Sequence, residues 1–455
     1  MSTLVVRAGH LVLAPGQVLP GGWLLARDGM VVEAGSGPAP KADEVLSLGS
    51  CVAVPGLVNA HDHLYQWATR GWAPGGTLFE WLRELYPVWA RLDAESVRAA
   101  ARAAMARLLL AGCTLTADHH YVFHSGRAGI FEALVGAARE VGIRFHPCRG
   151  SVDLGASAGG LPPDDLVEDP DAVLAETERV AAAFHDPSPG SMCRVAVGPC
   201  SPFSSSTRLM TESAALARRL GLRMHTHLAE TADEEAFCLE RYGMRPLDLL
   251  EELGWLGEDV WLAHCVHLNQ DEVRRLAESG TGVAHCPSSN MRLGSGAAPI
   301  ADMVRAGVRV GLGVDGAASN EDYDLVREVH EAMLLARLRA AMLGTPRAAA
   351  GFGAVEAWRL ATAGGAECLG RTDCGALEAG RCADLALYRL DDLGRAGISD
   401  PLWALALAPP ARAEAVVVGG KVVVREGRLV GADEDEISDA VGRTGAALKE
   451  GAGLG

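Results

Sequence analysis

Two histidines one residue apart follow an apolar run in the segment PGLVNAHDHLYQ, residues 55–66. Alternate residues of a strand point to the same side, so His61 and His63 can direct both imidazoles at one point. Neutral imidazole is the commonest protein ligand of transition metals. An isolated H-x-H pair at a strand end is as typical of packing as of metal binding. The pair therefore predicts a metal site only if further ligands converge on it.

Further polar side chains end other strand-like segments. RMHTHLAE carries His227 and Glu230, VWLAHCVH carries His264, and VRVGLGVDG carries Asp315. His227 can add a third nitrogen and Asp315 a carboxylate oxygen to the same metal. Three or four protein ligands with one open position are what a hydrolytic zinc or ferrous site needs. Such a metal brings the pKa of a coordinated water close to neutrality.

Two of these side chains suit proton transfer. Glu230 lies three residues after His227, and a carboxylate there can carry a proton to a substrate. His264 can hydrogen-bond the reacting oxygen or a tetrahedral intermediate. His225 has the same strand parity as His227, so parity does not choose between them. The choice of His227 as a ligand rests on its spacing to Glu230.

The elements that must position these residues are eight strand-like segments separated by helical patterns: VAVPGLVNA, CTLTADHH, IRFHPC, VAVGPCSP, RMHTHLAE, VWLAHCVH, GVAHCPSS and VRVGLGVDG. Nearly continuous apolar strands are typical of a parallel sheet that is covered on both faces. Eight β-then-α units predict an α/β fold, a (β/α)8 TIM-like barrel, rather than an open doubly wound sheet, because no Gly-rich phosphate loop accompanies them. The C-terminal ends of barrel strands meet at one mouth, where the candidate residues would converge.

The two ends of the chain are predicted to form strands joined by hairpins at Asp28-Gly29 and Gly419-Gly420. Neither end is long enough for a good core alone. We therefore predict a composite β-sandwich domain from residues 1–55 and 372–432, a catalytic barrel from 56–371, and a peripheral C-terminal tail from 433–455.

The longest connection, residues 121–170, includes the Gly- and Pro-rich stretch SVDLGASAGGLPPDD. Long loops on the catalytic face of a barrel often cover the substrate. The connection is therefore either a substrate lid or a disordered surface insertion.

Composition limits the partners and the compartment. The formal net charge is −17, and no basic stripe with interleaved aromatic residues is present, so we expect no nucleic-acid partner. An odd number of cysteines, 11, is typical of reduced thiols rather than a disulfide framework. There is no signal-peptide pattern, and apolar runs fall short of the ~18 residues that a membrane-spanning helix needs. A cytoplasmic protein without a membrane association is expected.

Six motifs along nearly the whole chain resemble the amidohydrolase superfamily, specifically its mononuclear aminohydrolase branch: PGLVNAHDH, HTHLAE, LAHCVHL, HCPSSNMRLGSG, GLGVDGAASN and GALEAGRCADLALY. The resemblance implies a distorted β/α barrel with a β-sandwich from both termini. The metal ligands that it implies are His61, His63, His227 and Asp315. The catalytic acid/base pair that it implies is Glu230 and His264, with Asp315 also accepting a proton from the attacking water.

Lysine occurs only at Lys41, Lys421 and Lys449. The carbamylated lysine that bridges two metals in binuclear relatives such as hydantoinases is therefore excluded, and one divalent ion is expected. Histidine and aspartate accept zinc or iron, and we predict Zn²⁺, with Fe²⁺ as the alternative.

The stretches HLYQWATRGW, LFEWLRELYPVWARLD, ADHHYVF and GPCSPFS look most like bacterial 8-oxoguanine deaminases, and triazine hydrolases are similar in the same regions. Gln66 matches a purine-contacting amide of guanine-type deaminases, and an amide presents both a donor and an acceptor to an oxopurine; a Gln that only ties down the loop is the alternative. Tyr121 and Cys200 are pocket candidates by position.

The resemblance implies hydrolytic deamination of a small heteroaromatic substrate, 8-oxoguanine to urate and ammonia. A triazine or pterin aminohydrolase or chlorohydrolase is the alternative of the same class. A catalytically inactive barrel that serves as a binding scaffold is the alternative of a different class. A homo-oligomer is usual for such relatives and is expected here.

Overall fold

Strands and helices alternate along most of the chain. The computed structural model describes residues 2–123 and 127–453. Its strands are β1 (Thr3–Ala14), β2 (Gln17–Pro20), β3 (Gly22–Arg27), β4 (Met30–Ser36), β5 (Glu44–Pro55), β6 (Leu57–Asn59), β7 (Cys113–His120), β8 (Arg144–Ser151), β9 (Ala196–Pro199), β10 (Arg223–Leu228), β11 (Val260–His264), β12 (Gly282–His285), β13 (Arg309–Leu312), β14 (Leu385–Arg389), β15 (Ala415–Val418), β16 (Lys421–Arg425) and β17 (Arg428–Leu429). Its α-helices are α1 (Leu78–Trp89), α2 (Ala94–Leu110), α3 (Ile130–Val141), α4 (Pro170–Phe184), α5 (Thr207–Leu220), α6 (Ala232–Tyr242), α7 (Pro246–Glu252), α8 (Gln270–Ser279), α9 (Pro287–Arg292), α10 (Ile300–Ala306), α11 (Leu325–Met342), α12 (Ala354–Arg359), α13 (Gly365–Cys368), α14 (Pro401–Leu407) and α15 (Glu434–Gly451).

Eight parallel strands, β6 to β13, close a barrel in sequence order. The pairing of Leu312 on β13 with Asn59 on β6 completes the ring. Every residue of β7 and β8 is buried, as expected for strands covered on both faces. The predicted (β/α)8 barrel is confirmed, and the open doubly wound alternative is wrong.

The segment VAVPGLVNA, predicted as the first barrel strand, divides at Gly56. Its first part belongs to β5 of the other sheet, and its second part is β6. Pro55 has no N–H to donate to a ladder, and a Cβ on Gly56 would lie 2.1 Å from the Thr114 hydroxyl. The chain therefore changes sheets at a glycine, where the absence of a side chain leaves room for the side chain of Thr114.

The remaining strands form one mixed sheet from both ends of the chain, in the order β17-β16-β15-β14-β5-β1-β3-β4 with β2 paired to β1. Both predicted hairpins are present, because Arg27 pairs with Met30 and Val418 pairs with Lys421. Side chains from both termini share one apolar core, for example Leu24 and Val417. The composite β domain is confirmed.

Local capping chemistry sets the ends of the barrel helices. Asp93 accepts a hydrogen bond from the backbone N–H of Ser96 at 2.9 Å and starts α2. Asn269 and Glu272 form a capping box at the start of α8. Gly221 ends α5 with a φ of 67°, in the left-handed region that glycine favours.

The C-terminal tail contains a helix, α15. α15 begins at the N-cap Asp433 and buries Ile437 and Leu448. Ile437 packs against Ala103 and Ala106 of α2, so the helix is attached to the outside of the barrel. Among residues 2–123 and 127–453, every helix is too short or too polar to traverse a lipid bilayer.

A buried ion pair joins the barrel to the β domain. Arg144, at the start of β8, donates to Asp384 through Nε at 2.6 Å and through Nη2 at 3.1 Å. Both side chains are almost fully buried. A two-pronged contact between a guanidinium and a carboxylate is among the strongest polar contacts in proteins.

We expect Asp384→Asn to lower the free energy of unfolding by about 3–5 kcal/mol, because it leaves the buried charge of Arg144 uncompensated. Chemical denaturation monitored by circular dichroism measures the change. The control is Asp391→Asn, which breaks the exposed pair with Arg389 and is expected to change nothing measurable. An equal effect of the two substitutions would contradict a structural role for the buried pair.

Candidate metal centre and active site

The predicted site residues meet at the C-terminal end of the barrel. His61 and His63 follow β6, His227 lies on β10, His264 ends β11, and Asp315 follows β13. All five side chains are buried. The barrel therefore brings together residues that are up to 254 positions apart in the sequence, from His61 to Asp315.

Strained backbone accompanies these strand ends. His264, Cys265 and Asp315 have φ angles of 69°, 52° and 60°, and Ala229 beside Glu230 has 49°. Residues other than glycine rarely adopt this left-handed region, and such strain concentrates at functional sites. These left-handed residues lie at or just beyond the ends of β10, β11 and β13, where the site residues are placed.

Three imidazole nitrogens and one carboxylate oxygen lie close together. His63 Nε2 is 3.0 Å from His227 Nε2. Asp315 Oδ1 lies 3.4 Å from both His61 Nε2 and His63 Nε2. The other oxygen of Asp315 accepts hydrogen bonds from the hydroxyls of Ser289 at 2.6 Å and Ser319 at 3.2 Å. The two serines therefore hold the carboxylate so that Oδ1 faces the imidazoles.

Hydrogen bonds to carbonyl groups determine which ring nitrogen of His63 and of His227 is bare, that is, unprotonated. His63 Nδ1 lies 2.7 Å from the carbonyl of His119, and His227 Nδ1 lies 2.6 Å from the carbonyl of Cys200. A carbonyl only accepts, so both Nδ1 atoms carry the proton. In each neutral ring Nε2 is then an unprotonated lone pair that faces the centre of the site.

His225 fixes the third ring in the same way. Its Nδ1 donates to the carbonyl of Trp261 at 2.8 Å, so its Nε2 is bare and accepts the proton on His61 Nδ1 at 2.7 Å. His61 Nε2 is therefore also bare. His225 thus contacts His61 at Nδ1, the nitrogen on the side away from the site. His227 is the histidine of β10 that faces the rings of His61 and His63.

This donor set fits a divalent cation. Burial lowers the pKa of His61 to about 3 and lowers the pKa values of His63 and His227, so the three rings are neutral. Two lone pairs 3.0 Å apart repel each other unless a cation lies beside them. Three neutral imidazoles and one carboxylate are a suitable ligand set for zinc or ferrous iron.

His119 is a further buried imidazole beside this group, and it was not among the predicted site residues. One of its ring nitrogens lies within 4.8 Å of ligand atoms of His61, His63 and His227. Its Nε2 donates to the carbonyl of Gly198 at 2.8 Å. The signal that could have found it is its position at the end of the second barrel strand, where the other site residues also lie.

Glu230 and His264 form a second group at the rim of the site. Asn290 Nδ2 donates to His264 Nδ1 at 3.0 Å, so the ring carries its proton on Nε2, the reverse of the three bare rings. That Nε2 lies 3.6 Å from Glu230 Oε2. Burial, and then the charge of Asp315, raise the pKa of Glu230 well above its usual value. Its surroundings therefore favour the protonated form of this carboxyl group.

A narrow cavity opens onto both groups. The predicted residues Gln66, Tyr121 and Cys200 line it together with the polar site residues. Its apolar walls are Leu78, Trp81, Leu82, Tyr86, Phe203 and Leu293. The first four of these come from α1, and sequence reasoning missed them. The sequence feature that could have indicated these wall residues is the aromatic, amphipathic segment LFEWLRELYPVW between β6 and α2.

The long connection contributes little to this cavity. Of residues 121–123 and 127–170, only Tyr121 lines it, and residues 124–126 lie outside the described residues. The same connection contains α3 and β8, and its role as a substrate lid or as a surface insertion stays a prediction. The apolar cover of the cavity lies in the loop after the first barrel strand.

The comparisons with known proteins agree with this geometry. The family model described as "Amidohydrolase family" matches residues 52–423. The chain is 47% identical to an 8-oxoguanine deaminase from Pseudomonas aeruginosa over 90% of this chain and 91% of the relative. It is 40% identical to an isoxanthopterin deaminase from an unknown prokaryotic organism over 90% and 88% of the two chains. The crystal structure of an atrazine chlorohydrolase from Arthrobacter aurescens TC1 complexed with zinc superimposes with a TM-score of 0.92, at 33% identity, over 97% of this chain and 100% of that one. The chain therefore belongs to the amidohydrolase family.

Proposed function

We propose that this protein is a metal-dependent hydrolytic deaminase of an amino-substituted heteroaromatic ring, and that its substrate is 8-oxoguanine, which it converts to urate and ammonia. The observation that carries the proposal is the placement of three bare imidazoles and a carboxylate on the same cavity as a second buried carboxyl group, Glu230, which lies beside His264. The relative with 47% identity, an 8-oxoguanine deaminase, supports the choice of ring.

One divalent metal ion would be held by His61, His63, His227 and Asp315. Zinc is favoured because the related chlorohydrolase structure is a zinc complex; the same donors would also accept Fe²⁺. When bound, the metal would lower the pKa of water and polarise the carbon that is attacked. With no lysine between Lys41 and Lys421, no carbamylated lysine is available for a second ion.

The side chains of the chain supply the proton transfers. Water adds to the ring carbon that bears the amino group, and Asp315 Oδ1 accepts a proton from it. Glu230 delivers its proton to the adjacent ring nitrogen, because an aromatic amidine carbon is a poor electrophile until that nitrogen is protonated. His264 donates its Nε2 proton as a hydrogen bond to the oxygen of the tetrahedral carbon. The C–N bond then breaks, the proton held by Asp315 leaves with ammonia, the remaining hydroxyl proton passes to the carboxylate of Glu230, and a ring carbonyl remains.

The cavity wall favours a ring with both hydrogen-bond donors and acceptors. Within residues 2–123 and 127–453, Gln66 Oε1 and Trp81 Nε1 are buried and have no hydrogen-bond partner. One is an acceptor and the other a donor, which suits the N–H and C=O groups of an oxopurine. An N-alkylated chlorotriazine would leave these groups unpaired, at a cost in affinity. An oxopterin shares the same edge, and a pterin deaminase is the second candidate.

A panel of substrates tests the proposal. Ammonia release by the zinc-loaded protein is measured with 8-oxoguanine, guanine, isocytosine, isoxanthopterin and an aminotriazine. We expect the highest kcat/KM for 8-oxoguanine. A highest value for isoxanthopterin or for the triazine would keep the deaminase chemistry and reject the substrate. No turnover of any ring by protein that holds one metal would favour a binding scaffold.

Asn290 should set the protonation of His264. Asn290→Asp offers an acceptor to Nδ1, which removes the proton from Nε2, and we expect kcat to fall about 10²-fold with metal content unchanged. The control is Asn269→Asp at the N-cap of α8, where the new carboxylate keeps the acceptor role and turnover should not change. Equal kcat in the two variants would show that Asn290 does not control His264.

Two further expectations accompany this proposal. A homo-oligomer is expected because such relatives commonly form one, and a cytoplasmic location is expected because of the 11 cysteines. Both stay predictions.

A further inference from the structure

Two cysteines lie together at the end of the barrel opposite the proposed active site. Cys374 and Cys382 are in the segment between α13 and β14 and are 2% and 1% exposed. The backbone N–H of Cys382 donates to the carbonyl of Asp373 at 2.8 Å, which brings the two ends of this turn side by side. The two sulfur atoms and a carboxylate oxygen of Asp373 all lie within 4.8 Å of one another.

The neighbouring carboxylates are already engaged, so this cluster is not suited to a metal. Asp373 accepts from Arg371 at 2.8 and 2.9 Å and from the backbone N–H of Gly190 at 2.7 Å. Asp384 accepts from Arg144 and, at 2.6 Å, from the backbone N–H of Gly419. Two thiols beside two buried guanidinium groups remain. Each guanidinium group is paired with one of the carboxylates, so within this cluster the thiols are the groups left to a cation, and both already donate to the same carboxylates.

We propose that Cys374 and Cys382 form a redox-active dithiol that hydrogen peroxide oxidises to an intramolecular disulfide. The thiolate of Cys382 attacks one peroxide oxygen, which gives a sulfenic acid and releases water after protonation. The thiol of Cys374 then attacks that sulfur, loses its proton and releases a second water. In total two thiols and one peroxide become one disulfide and two waters, a two-electron oxidation.

The surroundings make Cys382 the first nucleophile. The hydrogen bond from Cys374 and the positive charge of Arg144 lower the pKa of Cys382, against the opposing effects of burial and of the carboxylates of Asp384 and Asp373. Burial, in contrast, raises the pKa of Cys193 to about 12, although Cys193 is more exposed. The pKa directions therefore favour oxidation of Cys382, whereas exposure favours oxidation of Cys193. The order in which the two cysteines are oxidised tests the proposal.

A cleft provides a route for a molecule as small as peroxide. A cleft of about 830 Å³ between the barrel and the β domain is lined by Met30, Arg144, Gly190 and Cys193, among other residues. Met30 pairs with Cys382 through an isolated backbone bridge, and Arg144 and Gly190 contact the carboxylates beside the thiols. The cleft thus ends one layer of residues from the dithiol.

The disulfide would close a turn that is attached to the β domain. Within this turn, Leu377 donates to the carbonyl of Leu13 at 2.8 Å and Gly380 donates to the carbonyl of Val31 at 2.9 Å. Closing so short a loop limits the freedom of the unfolded chain, and we expect the midpoint of thermal unfolding to rise by about 3 °C. Turnover should not change, because the active site lies at the other end of the strands.

The experiment treats native zinc-loaded protein with hydrogen peroxide, blocks the remaining thiols with iodoacetamide, and maps tryptic peptides without reduction. Cleavage after Arg371, Arg381 and Arg389 places the two cysteines on separate peptides, residues 372–381 and 382–389. We expect these peptides to be linked, and the free thiols to fall from 11 to 9. In Cys374→Ser, dimedone should instead trap a sulfenic acid on Cys382. Cys193→Ser is the matched control and should form the same link.

Separate, alkylated peptides 372–381 and 382–389 in oxidised native protein would overturn the proposal. Oxidation of Cys193 before the dithiol, or a link that appears only in urea-unfolded protein, would overturn it as well. The mapping of unsubstituted protein gives this answer even if a variant fails to fold.

Discussion

Replacement of Glu230 by Gln is expected to lower kcat about 10²–10⁴-fold while the protein keeps one metal ion. The amide has the shape of the carboxyl group but cannot deliver a proton to the ring nitrogen. Glu230 lies 3.6 Å from His264 and is not among the clustered groups that could hold the metal ion. Metal content and kcat measured on the same preparation separate the loss of acid catalysis from the loss of the metal.

A matched control lies five residues further along the chain. Glu235 pairs with Arg245 at 2.5 Å and does not line the cavity. Glu235→Gln should leave kcat unchanged. Unchanged turnover in metal-loaded Glu230→Gln would remove Glu230 from the proposed mechanism, whatever the control shows.

His61→Ala is expected to lose the metal and the activity together, with metal content falling from one equivalent toward zero. The substitution removes one of three bare nitrogens and leaves Asp315 with one fewer neighbouring ring. A site that loses a ligand binds its metal much more weakly. Elemental analysis of the purified protein, together with ammonia release, measures both effects.

The control for this substitution is His330→Ala on α11. His330 Nδ1 donates to the carbonyl of Ala406 at 2.7 Å, away from the barrel mouth. Metal content and turnover should both stay at the level of the unsubstituted protein. Stoichiometric metal retained in His61→Ala would refute the assignment of His61 as a ligand.

The fold could be predicted largely from local patterns. Strands covered on both faces are apolar along their length, and each of the eight barrel strands showed this pattern in the sequence. The Asp28-Gly29 and Gly419-Gly420 pairs specify two-residue hairpins whatever the rest of the chain does. The order of strands in the β domain was not accessible, because the placement of β5 between β1 and β14 depends on contacts between distant segments.

Strand parity, which is a local property of the sequence, predicts only part of the site. His61 and His63 share a face of one strand end, and that fact is local. The choice between His225 and His227 is not, because both have the same parity. Their difference arises from the carbonyl of Trp261 on the neighbouring strand, which binds His225 and turns it toward the back of His61.

Two parts of the site depend on long-range packing alone. The position of α1 over the cavity follows from how its loop folds back onto the barrel, and its own amphipathic pattern shows only that one face is buried. The contact of Asn290 with His264 joins α9 to β11. The roles of the site residues and the domain boundaries at residues 55 and 372 stay predictions.

The most direct test of the proposed function is ammonia release from 8-oxoguanine by protein of known metal content, before chelation, after chelation and after zinc is restored. We expect one metal per chain, one ammonia for each urate formed, loss of turnover with the metal, and recovery with zinc. Turnover that is unchanged in metal-free protein, or one bound metal per chain with no ammonia from 8-oxoguanine, would contradict the proposed function.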